Sequence, residues 1–137
     1  MTPTHIEHIG IAVKNLEEIN LLFEKILTTK CYKIEEVKSE NVITSFFQNG
    51  PNKIELIQAT TADSPIAKFI EKRGEGIHHI AFSVKNIKNE MQRLRAEGCL
   101  LLNNEPKLGA DNKLVCFVHP KSANGVLIEL CQEADTN

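Results

Sequence analysis

Two histidines and two glutamates stand at matching places in the two halves of this chain, and together they make a donor set for a transition metal. His8 opens the run His8-Ile9-Gly10-Ile11-Ala12-Val13-Lys14-Asn15-Leu16, and His79 opens His79-Ile80-Ala81-Phe82-Ser83-Val84-Lys85-Asn86-Ile87. Five of these nine positions are identical and the others are conservative exchanges. Glu55 lies in IELIQ at 54–58, and Glu129 lies in IELCQ at 128–132. Two imidazoles and two carboxylates form a mixed N/O set suited to Zn, Co, Ni, Mn or Fe. Four protein donors leave a five- or six-coordinate ion with positions for water or substrate.

A single histidine on a half-buried strand is more often structural than a ligand, and a single strand glutamate is usually solvated or salt-bridged. Recurrence in register changes that balance. Strand alternation also places His8 with Gly10 and Ala12, and His79 with Ala81 and Ser83, on faces too small to be mere packing surfaces. His5 and His78 have the opposite parity and should point away. His119 ends a strand before Pro120, where a structural role is expected.

The elements that must position these donors follow from apolar periodicity. Ile9, Ile11 and Val13 give the first strand its packing face. Asn15 caps a helix over about 16–28, with Glu18 as capping-box partner and a stripe of Leu16, Ile19, Leu22, Phe23, Ile26 and Leu27. An extended segment at 32–38, a strand at 42–48, a turn at 49–52 and a strand at 53–59 complete the first half. Asp63 or Ser64 caps a short connecting helix with Pro65 in its first turn.

The second half repeats the order. Ile80, Phe82 and Val84 line one strand face. A helix over 86–97 follows, capped by Asn86, with Ile87, Met91 and Leu94 buried and Gly98 just past its end. A short strand at 99–102, a loop at 105–112, and strands at 114–119 and 126–131 follow. Each half is thus β-α-β-β-β, a unit copied and diverged. The expected fold is α+β. Residues 1–137 read as a single domain, with modules at about 5–59 and 77–132 joined by the helix at about 64–73. If the two small sheets pack about a pseudo-two-fold axis, the four donors converge on one cleft.

The bulk properties are those of a soluble globular protein of 137 residues, 42% hydrophobic and 25% charged. Sixteen basic against eighteen acidic residues give a formal charge of −2, which carries no electrostatic footprint for nucleic acid. No apolar run approaches the ~20 residues of a membrane span. The beginning of the chain lacks the basic and apolar regions of a signal peptide. Cys31, Cys99, Cys116 and Cys131 show no tight spacing, so reduced thiols and a cytoplasmic location are expected.

With these residues in place, the chain resembles the vicinal oxygen chelate superfamily, whose paired βαβββ modules form a metal-binding cleft. Within it the chain is most similar to the methylmalonyl-CoA epimerase family, through HIEHIGIAVKNLEE, DSPIAKFIEKRGEGIHHIAF, EPKLGA and HPKSANGVLIEL. The resemblance implies metal ligands at His8, Glu55, His79 and Glu129 and one divalent ion, with Co, Zn, Mn and Ni as the candidates. It implies interconversion of (2R)- and (2S)-methylmalonyl-CoA by proton removal and return at C2 through a metal-stabilised enolate.

Glu129 is then the candidate for one proton-transfer group. Some family members carry a second glutamate on the strand that here reads Val42-Ile43-Thr44-Ser45, where this chain has no acid. Lys121 and Ser122 in the HPKS turn are candidates to hold the thioester or acid end of the substrate. Lys107 and Lys113 are candidates for the CoA phosphates. The resemblance also implies a homodimer. Two alternatives share the fold. A lactoylglutathione lyase-like isomerase would use the same four ligands, and turnover of a hemithioacetal separates it. A non-catalytic small-molecule binding module often lacks the ligands, all of which are present here.

Overall fold

The computed structural model describes residues 2–134. Its elements run β1 (His5–Ala12), α1 (Leu16–Leu27), β2 (Lys33–Val37), β3 (Val42–Asn49), β4 (Asn52–Ala59), α2 (Pro65–Arg73), β5 (Gly76–Ser83), α3 (Ile87–Ala96), β6 (Lys107–Leu108), β7 (Lys113–Val118) and β8 (Ile128–Glu133). The chain forms two compact units: His8–His78, and the residues from His79 onward together with those up to Glu7.

In the first unit the strand order is β2-β3-β4-β1. β1 runs parallel to β4, and β2, β3 and β4 are antiparallel neighbours. The β3–β4 hairpin turns at Gly50, whose φ of 60° is a conformation that costs glycine little. α1 covers one face of this sheet. Its Leu16, Ile19, Phe23 and Leu27 pack with Ile11, Val13, Phe47 and Leu56. This stripe is narrower than the periodicity suggested, because Leu22 and Ile26 lie round the side of the helix and remain exposed. α2 covers part of the opposite face, where Ile66 packs with Ala12, Val42 and Ile57. Ser64, not Asp63, is its cap, accepting from the Ile66 amide.

The second unit has the same plan, β6-β7-β8-β5, with β5 parallel to β8. α3 buries Ile87 and Met91 against Val84, Cys116 and Leu130, with Leu94 packed at the edge. Gly98 follows the helix with φ 90°, as its C′ role requires. On the other face Ala81, Val115, Cys131 and Phe117 form a small cluster.

One segment differs from expectation. Residues 99–102 form a single antiparallel bridge and not a full strand: Leu101 lies opposite Val118, the Leu102 amide donates to the Phe117 carbonyl and the Leu100 carbonyl accepts from the His119 amide, while the Leu100 and Leu102 side chains are exposed. Lys107 and Leu108, inside the segment expected to be a loop, pair with β7 further along, at Val115 and Leu114. An apolar run was legible there, but its cross-strand partner was not.

The helices are fastened alike in both units. Asn15 accepts from the Glu18 amide and Asn86 from the Asn89 amide. The Gln58 side chain accepts from the Leu16 amide at 2.6 Å, and Gln132 from the Ile87 amide at 2.7 Å. The glutamine that closes each IELxQ echo therefore ties the last strand of its unit to the first helical residue, satisfying a donor that the helix cannot. All four cysteines are free thiols, and burial pushes the Cys116 thiol up. Among the described residues, no helix is long and apolar enough to cross a membrane.

Candidate functional site

In the first unit, strand register sets His8 and Glu55 on one face. Gly10 lies beside Glu55 on the parallel neighbour β4, and His8 is two residues before Gly10, hence on the same face. The diagonal is spanned by side chains: His8 Nδ1 lies 3.2 Å from Glu55 Oε2. Both residues are buried, at 4% and 5% exposure.

The second unit builds the same diagonal. Ala81 lies beside Glu129 on β8, and His79 is two residues before Ala81. His79 Nε2 lies 3.1 Å from Glu129 Oε1, and these residues too are buried, at 5% and 6% exposure. Phe117 stands across β7 from Glu129, and its ring meets the His79 imidazole edge-on at 5.9 Å. Phe46 holds the corresponding place across β3 from Glu55. In each unit, then, a small residue, a glutamate and a phenylalanine lie side by side on adjacent strands.

Ionised carboxylates are rarely buried unless they are paired or coordinate a metal. Each buried glutamate here has an imidazole nitrogen within reach. Imidazole nitrogen and carboxylate oxygen are ordinary ligands of first-row divalent ions, so the donor chemistry of both pairs fits a metal. His78 packs elsewhere, with its ring edge-on to Phe69 at 4.9 Å, and His5 meets the Thr4 hydroxyl. His119 accepts from the Lys121 amide and so caps the turn at Pro120–Ser122.

The cationic candidates are placed differently from one another. Lys121 is exposed on the capped turn. The Ser122 hydroxyl accepts from the Leu100 amide at 2.8 Å, a bond that uses a lone pair and not the hydroxyl proton. Lys107 is exposed on β6, across from Val115. Lys113 is buried, and its ammonium is paired with the Glu133 carboxylate on the neighbouring strand. Thr44 is buried on the same face as Glu55, one row further along. Across from it on β2 stands Glu35, which sequence reasoning passed over. The sequence Lys33-Ile34-Glu35-Glu36-Val37 carries no apolar alternation that singles it out; its place comes from the β2–β3 register.

Comparison with known proteins gives consistent results. The family model of the Glyoxalase/Bleomycin resistance protein/Dioxygenase superfamily matches residues 7–117. The uncharacterized protein YqjC of Bacillus subtilis is 39% identical over 93% of this chain and 91% of its own length. The ethylmalonyl-CoA/methylmalonyl-CoA epimerase of Cereibacter sphaeroides is 37% identical, covering 93% of this chain and 96% of that protein. A Streptomyces coelicolor methylmalonyl-CoA epimerase variant solved with 2-nitronate-propionyl-CoA superposes with a TM-score of 0.90 at 29% identity, over 96% of both chains.

Proposed function

The chain belongs to the Glyoxalase/Bleomycin resistance protein/Dioxygenase superfamily and, within it, to the methylmalonyl-CoA epimerase family, and from that premise we propose that it interconverts (2R)- and (2S)-methylmalonyl-CoA. The observation that carries this reading is the duplicated buried pair, His8 with Glu55 and His79 with Glu129, in a chain related throughout its length to epimerases of acyl-CoA esters.

In this reading the four residues hold one divalent ion, with Co, Zn, Mn and Ni as the candidates. When bound, such an ion supplies positive charge against the negative charge that develops on the thioester oxygen. The C2 carbon sits between a thioester and a carboxylate, so its proton is removable by a carboxylate held close to it. Glu129 takes or returns that proton on one side of the carbon.

Lys121 and the Ser122 hydroxyl bind the thioester or acid end of the substrate, and Lys107 meets the CoA phosphates. Lys113, buried and with its charge offset by Glu133, is the weaker of the two phosphate candidates. A homodimer is the proposed assembly.

The test is direct. Metal-loaded protein is incubated with methylmalonyl-CoA in deuterated water, and C2 is followed by NMR and chiral analysis. Deuterium should enter at C2 as the two isomers equilibrate. Absence of exchange with every divalent ion tried would overturn the reading.

A further inference from the structure

Epimerisation needs a proton-transfer group on each side of the reacting carbon, and Glu129 accounts for only one. Resting on the function proposed above, we infer that Glu35 is the second. The histidine-bearing face of the first unit's sheet carries, among the described residues, two acids: Glu55 and Glu35. Glu55 is committed to His8. Glu36 has the opposite parity to Glu35 and belongs to the other face.

Glu35 lies in the row of residues next to Glu55's own. The register runs Glu35–Thr44–Ile57–Ala12 across four strands, beside Lys33–Phe46–Glu55–Gly10. Its side chain is 34% exposed, so a substrate can reach it while the sheet still restricts it. The Lys33 ammonium lies 3.6 Å from Glu35 Oε1 and 4.6 Å from the centre of the Phe46 ring, so the cation beside Glu35 sits toward Glu55's row. Thr44 and Ile57, the residues between Glu35 and β1 in that row, carry no carboxylate.

The second unit supports the assignment by contrast. The same register position there, the edge strand across from Val115, is occupied by Lys107. Duplication therefore kept the pairs and diverged at the edge, with an acid in one unit and a base in the other. A carboxylate at this place suits proton transfer, and an ammonium suits an anionic group of the substrate. Glu35 removes the C2 proton of one isomer, the C–H bond electrons passing into the thioester carbonyl. Glu129, which begins this turnover protonated, gives its proton to the opposite face of C2 as the electrons return from the carbonyl, and proton exchange with water resets both carboxyls. In the reverse direction the two exchange roles, so atoms and charge balance over either direction.

The experiment compares wild type with Glu35→Gln, both metal-loaded, each given the pure (2R) or pure (2S) isomer in deuterated water. Epimerisation should fall by about 100-fold or more, in the range for loss of a general base. One isomer should still exchange its C2 proton with retained configuration, because Glu129 remains to remove and return it. Metal content and the urea midpoint should match wild type, and Glu35→Asp should recover part of the rate.

Epimerisation of Glu35→Gln within about three-fold of wild type would overturn the assignment alone. So would loss of exchange for both isomers, or loss of metal, which would mark Glu35 as structural. A wild type that exchanges neither isomer would overturn the epimerase reading and this inference together.

Discussion

The two units of this molecule agree in some places and differ in others, and the pattern of agreement separates what each place does. Both units keep a histidine two residues before a small residue, with a glutamate beside that small residue and a phenylalanine beyond it. Both keep an asparagine cap and a glutamine tie at the helix start. They differ one row along and at the sheet edge, where Glu35 and Thr44 correspond to Lys107 and Val115. They differ again in that α2 covers part of the histidine-bearing face of the first unit. What repeats is donor geometry and helix attachment. What diverged is the chemistry of the edge, an acid in one unit and an ammonium in the other.

The sharpest way to break this comparison is at the histidines. His8→Ala and His79→Ala should each abolish stoichiometric metal uptake, measured by elemental analysis after dialysis, and reduce epimerisation by at least about 1,000-fold. Because the pairs act as a unit, the double variant should be little worse than either single one. If one variant kept a full equivalent of metal while the other lost it, the units would not contribute equally and a shared donor set would be wrong.

The next largest contrast lies at the edge. Glu35→Gln should lower kcat with KM nearly unchanged. Lys107→Gln should raise KM by about three- to ten-fold and leave kcat within a factor of two, since an exposed ammonium contributes modestly to binding. Steady-state kinetics on both isomers separates the two outcomes. A fall in kcat for Lys107→Gln would erase the distinction between the two edges.

How much of this was legible before the fold depends on the range of the physics involved. The period-two alternation in β1 and β5 is local, so it sorted His8 from His5 and His79 from His78 without any structure. The helix caps are local too, and Asn15 and Asn86 were found by them. Register across strands is not local. Glu35 became visible only when β2 was set against β3, and the burial of Lys113 only when β7 was set against β8. Residues 99–102 show the same limit: the apolar run is local, but its bonding to Phe117–His119 comes from distant chain, with Leu101 opposite Val118. The breadth of the α1 stripe was overstated because periodicity gives a direction on a helix but not how far the neighbouring sheet reaches round it.

The smallest expected effect concerns the glutamine ties, and it tests whether the agreement between units extends to energetics. Each side chain accepts from a helix-start amide that lacks an intrahelical partner and is partly buried. Replacing Gln58 or Gln132 by Ala leaves that amide unsatisfied, a change of about 1–2 kcal/mol by the usual cost of such a group. Urea denaturation should therefore show both single variants less stable by similar amounts, with m values unchanged. Gln58→Glu and Gln132→Glu should recover part of the loss, because a carboxylate also accepts and lies at the positive end of the helix dipole. Metal content should be the same in all four variants, since both glutamines lie on the helix-covered faces of their sheets. A much larger cost in one unit would mean that its helix is held by something the other lacks, and that the repeat preserves geometry without preserving its energetic support.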